Sequence, residues 1–401
     1  MTDRLYYQDA YKTEFSSRVS GIQQRPEGPW LALDSSAFYP TSGGQPHDTG
    51  SLVADGQEVK VLDVLADEQG ILWHRTDRAL DVGTPVQGRI DWPRRFDHMQ
   101  QHAGEHILAG CIHALFQGYT HGLHVAQDYA SIDVTLPDGA MRLDKAQIDQ
   151  LELLANQRVQ QDAPIRSWFP TKEEFDQIPL RKAPAVDEHI RVVMAGDFEA
   201  CACGGTHPSS TGQIGLIKVL DTQPSRGKMR VIFLCGLRAT RHYQALYHAA
   251  SEAGALLSSP VSGLPQAVGH LQAEIAQHKE ALRALKLQRA QGLAAQLLGE
   301  AQPLPGGGRL VQAQLADHDM NDLKELASLL TRELGVAALL AAPKPEGYHL
   351  LFARHEALGQ DMAALLRQSG ARGGGRPDFA QGSAADDKSL SQAAQALLSA
   401  T

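Results

Sequence analysis

The alternation of hydrophobic and polar positions is strongest in the first quarter of the chain. Short apolar runs such as SSRVSGI, WLALD and EVKVLDVLA are separated there by Gly, Pro and Asp. Brief alternating runs split by turn residues are typical of β-strands. The spacing of these runs suggests a small barrel or sandwich, and we expect a small β-barrel domain over residues 1–90.

The next segment mixes two periodicities. MQQHAGEHILAGCIHALF and DKAQIDQLELLANQRVQQ carry apolar residues at helical spacing, whereas ASIDVTL, IGLIKVL and RVIFLCG have the apolar, β-branched composition of strands. This mixture predicts an α+β domain over residues 91–245.

Leucines at helical spacing dominate residues 246–302, but His278 and Arg289 interrupt their seam. The interruption favours a short helical hairpin over a long two-stranded coiled coil. Beyond the linker EAQPLPGGGR, residues 303–401 read as a last α/β unit in which ARGGGRPDFAQG is expected to be a turn. The predicted fold class is thus α+β and multidomain.

The composition of the chain limits the kinds of function that it can have. The 401 residues are 43% hydrophobic and 21% charged, with a net charge of -9, so a nucleic-acid site would have to be a local basic patch. Four cysteines imply no disulfide framework, and neither a signal peptide nor a membrane-spanning apolar run is visible. We expect a cytoplasmic protein with no membrane partner.

Two short motifs predict a metal site. His102 and His106 are four residues apart, which places both rings on one side of a helix. Cys203 and His207 in CGGTH supply a thiolate and a third imidazole, and the two glycines between them permit a tight backbone path. Three imidazoles and one thiolate suit a tetrahedral zinc site. We predict one Zn²⁺ per chain, held by these four residues.

Two alternatives bear on that site. His102, Glu105 and His106 also fit the HxxEH pattern of inverzincin metallopeptidases, in which the glutamate is the general base. That chemistry needs a third ligand and an open coordination position, whereas CGGTH supplies two further ligands, so Glu105 is expected to face solvent. Cys201 lies two residues before Cys203, on the same side of an extended segment, and stays open as a competing ligand.

Together these motifs resemble a known family. HxxxH, CGGTH and the run FYPTSGGQPHDTG at residues 38–50 resemble the editing domain of alanyl-tRNA synthetases and the free-standing AlaX proteins. Weaker matches lie at residues 131–133, 211–215 and 230–236, and GGGRPD at residues 373–378 resembles the DHHA1, or C-Ala, domain. The helix motif departs from the family in one respect, because it reads HAGEH rather than the HTATH common in the synthetases. The long AlaX form is the best match.

The resemblance implies an activity. We expect no aminoacylation domain, and hence an enzyme that removes an amino acid from tRNA. The implied reaction is hydrolysis of the ester of mischarged Ser-tRNA-Ala, Gly-tRNA-Ala or both, which would protect alanine codons from mistranslation. The alternative is a non-catalytic, zinc-stabilised tRNA-binding protein.

The resemblance and the residue chemistry also suggest roles for individual residues. The catalytic candidates are Gln45 and Thr206. The candidates for substrate contact are Thr41, Ser42, Gly43, Gly44, Gly204 and Gly205. The candidates for RNA contact are Arg94, Arg95, Lys279, Arg283, Lys286 and Arg376. The expected partner is a tRNA, tRNA-Ala by resemblance, and the helical and C-terminal segments suggest a homodimer.

Overall fold

The computed structural model describes residues 1–184 and 189–399. The chain forms two compact units, Met1–Glu252 and Ala253–Thr401. Both units contain helices and strands, which confirms the expected mixed α+β chain with a small barrel near its start. No helix within the described residues is long and apolar enough to span a membrane.

A closed six-stranded barrel begins the first unit, with strand order β2-β3-β7-β6-β5-β8. Alternate residues of its strands point inward, as in β8, where every second side chain is buried. Val19, Leu31, Leu52 and Val61 are among the side chains that fill the interior. The elements are β1 (Asp3–Arg4), α1 (Leu5–Gln8), β2 (Glu14–Arg25), β3 (Gly28–Leu33), β4 (Ser35–Ser36), β5 (Gly50–Ala54), β6 (Gln57–Ala66), β7 (Leu72–Thr76) and β8 (Pro85–Ile90).

The rest of the first unit is built around one long helix, α2. The unit also contains a four-stranded sheet of order β14-β15-β10-β9 and a three-stranded sheet of order β11-β12-β13. The elements are α2 (Trp92–Phe116), β9 (Tyr119–Val125), β10 (Ala130–Thr135), α3 (Lys145–Gln160), β11 (Ile165–Trp168), α4 (Lys172–Phe175), β12 (Val192–Ala195), β13 (Glu199–Ala202), a 3-10 turn (Thr211–Ile214), β14 (Ile217–Ser225), β15 (Lys228–Cys235) and α5 (Gly236–Leu256).

A buried ion pair joins the barrel to α2. The Arg95 guanidinium contacts the Asp48 carboxylate and donates further hydrogen bonds to the carbonyls of Ala10 and Ala37, at 2.9 and 2.5 Å. Both side chains of the pair are fully buried. Arg95 is one of the residues predicted to contact RNA, and this prediction is corrected here, because a guanidinium enclosed on all sides cannot reach a phosphate.

The second unit is a six-stranded sheet, of order β16-β17-β18-β19-β21-β20, with helices packed on it. Residues 246–302, predicted as a helical hairpin, hold the end of α5, a 3-10 turn (Val261–Gly263) and one 36-residue helix, α6. The elements are α6 (Leu264–Gly299), β16 (Gln302–Pro303), β17 (Arg309–Gln314), α7 (Met320–Leu330), β18 (Val336–Lys344), β19 (Gly347–Arg354), α8 (Met362–Gln368), β20 (Arg372–Arg376), β21 (Phe379–Ala384) and α9 (Lys388–Ser399).

The glycine-rich stretch ARGGGRPDFAQG is a strand hairpin, not the turn predicted for it. Strand β20 pairs antiparallel with β21 along the whole of RGGGR. A Cβ on Gly373 would lie 2.3 Å from the Gln381 carbonyl oxygen, and one on Gly375 would lie 2.2 Å from that of Phe379. The glycines therefore permit close approach of two backbones, a role that composition alone does not separate from a turn.

Candidate metal centre and its pocket

Helix α2 carries the first two donor residues. Asp91 caps its N-terminus by accepting a hydrogen bond from the Arg94 backbone N–H at 3.3 Å. His102 and His106 follow on one face, both buried, with ring centroids 5.2 Å apart. Helical periodicity therefore presents the two imidazoles side by side, as the spacing predicts.

The loop after β13 carries the other two donor residues, Cys203 and His207. Cys203 Sγ lies 3.3 Å from His102 Nε2 and 3.8 Å from His207 Nε2, and His207 Nε2 lies 3.2 Å from His106 Nε2. One donor atom from each of the four residues lies within 4.8 Å of all the others. The structure thus brings together all four predicted ligands from two segments about a hundred positions apart.

These separations match the edges of a tetrahedral zinc site. With Zn–N near 2.05 Å and Zn–S near 2.3 Å, two nitrogens would be about 3.3 Å apart, and a nitrogen and a sulfur about 3.6 Å apart. The observed values of 3.2, 3.3 and 3.8 Å lie close to those edges. The four side chains can therefore hold a metal ion with little rearrangement, and their donor set is the one zinc prefers.

Burial keeps the four groups neutral when no cation lies among them. It lowers the pKa of His102 to about 3 and depresses the pKa values of His106 and His207 well below their usual range. The same desolvation raises the pKa of the Cys203 thiol to about 11. Neutral imidazoles expose lone pairs, and a bound cation would offset the desolvation that opposes the thiolate.

The GGQ loop reaches this cluster from the barrel. Ser42 and Gln45 exchange backbone hydrogen bonds of 3.1 and 3.0 Å across Gly43 and Gly44, whose φ values are +58° and +83°. Two positive φ values at the centre of a tight turn favour glycine strongly. A Cβ on Gly44 would also lie 1.9 Å from the Leu123 carbonyl oxygen. The glycine pair therefore lets the turn pack directly onto β9.

Gln45 orients a metal-ligating side chain. Its Oε1 lies 2.8 Å from His102 Nδ1 and accepts the Thr206 backbone N–H at 3.2 Å, while its Nε2 donates to Thr206 Oγ1 at 2.8 Å. Because an amide oxygen only accepts, Nδ1 of His102 carries the proton and Nε2 is left for the metal. Gln45 and Thr206 are both fully buried behind the ligands. Gln45 thus contacts His102, and Thr206 contacts Gln45, while the catalytic role of both stays a prediction.

A second polar group supports His106. His106 Nδ1, the ring nitrogen opposite the donor atom Nε2, lies 3.1 Å from Cys201 Sγ and 4.0 Å from Glu199 Oε1. Glu199 pairs with Arg181 at 2.9 and 3.0 Å. Cys201 therefore contacts the distal nitrogen of a ligand instead of joining the four donor atoms, which answers the ambiguity left by its spacing from Cys203.

A pocket of about 330 Å³ opens beside the donor cluster. Of the six residues predicted to contact substrate, Ser42, Gly43, Gly204 and Gly205 line it. The other two, Thr41 and Gly44, do not line it. Thr41 is exposed, with its hydroxyl 3.0 Å from His47 Nδ1, and Gly44 lies in the glycine turn. A Cβ on Gly205 would lie 2.1 Å from His102 Cε1, so this position must be glycine for the ring to pack.

Glu105 does not face solvent as predicted. It is only 8% exposed and lines the pocket, where burial raises its pKa to about 7. The motif does not report this burial, and residues 181–184 line the same pocket. The pocket is also lined by residues that were not predicted: Tyr39, which belongs to the FYPTSGGQ run, and Thr120, Arg181 and Lys182, whose positions carry no local motif.

The remaining residues predicted to contact RNA lie in different parts of the molecule. Arg94 is half-buried at the start of α2 in the first unit. Lys279 and Arg283 are exposed on α6, and Lys286 on the same helix lies 3.8 Å from Asp322. Arg376 is exposed at the end of β20 and pairs with Asp378. All of these remain predictions.

Two family models match the chain. The model for class II (A) tRNA synthetases matches residues 7–94, which include the barrel. The model for the threonyl and alanyl tRNA synthetase second additional domain matches residues 190–231, which include the CGGTH loop. The two matches thus include the GGQ loop and the CGGTH loop, but not the part of α2 that carries His102 and His106.

Full-length relatives extend this coverage. An alanine–tRNA ligase of Pyrococcus furiosus is 32% identical over 98% of this chain, which spans 43% of the ligase. The alanyl-tRNA editing protein AlaX-L of Pyrococcus horikoshii is 28% identical over 95% of this chain and 94% of that protein. A solved C-Ala domain from the Aquifex aeolicus alanyl-tRNA synthetase matches 25% of this chain at 19% identity, with a TM-score of 0.23. The resemblance seen in the motifs is confirmed: the chain is a homologue of AlaX-L and of the corresponding part of alanyl-tRNA synthetases.

Proposed function

We propose that this protein is a zinc-containing deacylase that hydrolyses the ester bond of mischarged Ser-tRNA-Ala, Gly-tRNA-Ala or both. The observation that carries the proposal is the junction of the four donor residues with a 330 Å³ pocket walled by the GGQ and CGGTH loops. A homologue of nearly equal length bears the name alanyl-tRNA editing protein, which supports the same activity.

Different pocket residues have different roles in the proposed reaction. Backbone at Gly43, Gly204 and Gly205 allows a substrate to approach closely, because no side chain stands in its way. Hydroxyls at Ser42 and Thr120 offer partners for a seryl side chain, and a site built around such a hydrogen bond discriminates against the analogue without the hydroxyl. Zinc, when bound by all four donors, would hold the walls of the pocket in the arrangement that positions the substrate.

The direct test is hydrolysis of Ser-tRNA-Ala and Gly-tRNA-Ala, with correctly charged Ala-tRNA-Ala as the specificity control. We expect rapid release of serine, glycine or both, little release of alanine, and about one zinc per chain by elemental analysis. The His102→Ala/His106→Ala variant should lose zinc and activity together. His113→Ala is the matched control, since His113 is exposed on the same helix and contributes no donor atom.

Other outcomes would replace the proposal. Tight tRNA binding with release no faster than in buffer would favour the non-catalytic tRNA-binding protein. Casein cleavage that Glu105→Gln abolishes would favour the metallopeptidase, although four protein donors leave that enzyme's water no coordination position.

Two further parts of the proposal concern partners. The basic side chains of α6 are proposed to contact tRNA, together with Arg376. The same helix exposes six large apolar side chains: Val268, Leu271, Ile275, Leu282, Leu285 and Leu287. Exposed apolar surface of this kind supports a homodimer, which sedimentation at several concentrations would detect.

A further inference from the structure

A groove of about 910 Å³ lies along the N-terminal half of α2, in the same unit as the donor cluster. Its walls come from α2, from Pro46 after the GGQ turn, from the end of β9 and from the first turns of α5. The groove is larger than the metal-site pocket, and the side chains that line it have a different chemistry.

Aromatic rings form one wall. Trp92 and Phe96 are one helical turn apart on α2 and both line the groove, with ring centroids 5.3 Å apart and a 33° angle between their planes. The Trp92 ring also lies 5.3 Å from that of Tyr11. A half-buried row of rings offers flat apolar surface on which nucleic-acid bases stack irrespective of their sequence.

The groove has a positive charge although the whole chain does not. Arg238 is neutralised by Asp97, with which it makes hydrogen bonds of 2.7 to 3.0 Å. Among the described residues, the Arg94 guanidinium makes one hydrogen bond, from its Nε to the His47 carbonyl at 3.1 Å. Arg241 is exposed and has no ion pair within the described part of the chain. Two uncompensated guanidinium groups beside aromatic rings suit a phosphodiester backbone.

A buried histidine in this groove has an unused hydrogen-bonding atom. His98 lines the groove, is 4% exposed, and its Nδ1 has no hydrogen-bond partner within the described part of the chain. Burial lowers its pKa to about 3, so the ring is neutral near neutral pH. A buried ring nitrogen without a partner is rare in folded proteins and points to a polar guest, such as a base edge.

Three elements run from this groove to the metal-site pocket. Along β9, Leu123 lines the pocket and Val125 the groove, and in the GGQ loop Gly43 lines the pocket and Pro46 the groove. Along α2, the ten positions between Trp92 and His102 correspond to about 15 Å of helix. The two cavities are therefore lined by neighbouring residues of the same three elements.

We propose that the groove binds the unpaired 3′-terminal nucleotides of the tRNA whose aminoacylated end enters the pocket. This inference rests on the proposed function. The aromatic rings stack on bases, Arg94 and Arg241 contact phosphates, and His98 bonds to a base edge.

The test is binding by the full-length protein, measured by fluorescence anisotropy with two RNA hairpins. One hairpin ends in a single-stranded 3′ overhang terminating in CCA, and the other is blunt. We expect Arg241→Ala and Phe96→Leu each to weaken binding of the overhang RNA by roughly fivefold to tenfold, with blunt RNA unaffected. Arg166→Ala is the matched control, because Arg166 is exposed on β11 in the same unit and lies outside the groove.

The outcomes separate this inference from the proposed function. If the wild type hydrolyses mischarged tRNA while both groove variants bind overhang RNA normally, the groove inference fails alone. An equal loss on blunt and overhang RNA would overturn it in favour of a duplex contact. If the wild type releases no amino acid from any tRNA tested, the proposed function fails, whatever the binding result.

Discussion

Helix α2 carries two buried polar clusters seven positions apart, and they differ in what completes them. At Arg95, the guanidinium and the Asp48 carboxylate neutralise each other, and two backbone carbonyls accept further hydrogen bonds. At His102, three imidazoles and a thiol face one another with no opposite charge between them. The first cluster is complete within the chain, whereas the second has the composition of a site that needs a cation.

The difference separates structural burial from functional burial. Both clusters join the barrel to α2, Arg95 through Asp48 and His102 through Gln45. A polar cluster whose groups satisfy one another holds the fold together irrespective of ligands. A cluster whose lone pairs converge on one point is stable only while its groups stay neutral or a cation binds. Two buried clusters on one helix thus differ in their dependence on metal. The Arg95 cluster is complete without a metal ion, whereas the His102 cluster has the composition of a metal site.

Removal of Arg95 should have the largest effect. Arg95→Met leaves the Asp48 carboxylate buried without its partner, and we expect a loss of about 3–5 kcal/mol in the free energy of unfolding. Urea denaturation should give the same loss in zinc-loaded and zinc-depleted protein.

The matched control for that prediction is Arg89→Met. Arg89 lies 3.6 Å from Glu14, and their side chains are 62% and 72% exposed, so the change should cost less than about 1 kcal/mol. If Arg95→Met were as mild as Arg89→Met, or destabilised only the zinc-loaded protein, the two clusters of α2 would not differ in the way described.

His74 sharpens the comparison, because it is a buried histidine whose two nitrogens both have partners. It lies in the barrel, 2.8 Å from Ser36 Oγ and 3.0 Å from the Leu31 carbonyl, and burial lowers its pKa to about 4. The unfolded chain binds a proton at this residue near pH 6.5, the folded chain only near pH 4. Stability is therefore complete above about pH 6.5 and falls as the pH drops towards 4.

Comparison with His74→Gln isolates this contribution from that of the other histidines. Between about pH 7 and about pH 5, the wild type should lose about 2 kcal/mol more unfolding free energy than the variant. Urea denaturation at both pH values measures the difference. Equal losses in the two proteins would mean that folding does not depress the pKa of His74.

The four metal-donor residues could be predicted from the sequence, but the surroundings of the cluster could not. HxxxH and CGGTH each fix a local geometry, so the identity of four donors in two segments could be predicted from spacing and ligand chemistry. The burial of Arg95 and Glu105 could not, because it depends on how distant segments pack onto the helix, as the Asp48 loop does at Arg95. Local patterns do not report which distant segment covers a helix face.

The strand predictions show the same limit. The run in β6, where apolar and polar residues alternate, lies in the barrel as expected. RGGGR in β20 has no alternating apolar face, and it forms a strand because its glycines let β21 approach. That interaction is invisible in a window of a few residues. Gln45 belongs to this class too, since its partners lie 57 and 161 positions away.

Replacement of Gln45 should have the smallest effect and is the finest test of the comparison. Gln45→Leu leaves the His102 Nδ1–H without its acceptor, so we expect zinc affinity to fall by about 10–100-fold, as measured by competition with a chelator. Gln45→Glu keeps an acceptor and should retain most of the affinity. Gln101→Leu is the matched control, because Gln101 is equally buried and bonds to Cys235 instead of a donor residue. If Gln45→Leu bound zinc normally and lost only turnover at saturating zinc, Gln45 would act on the substrate and not through His102.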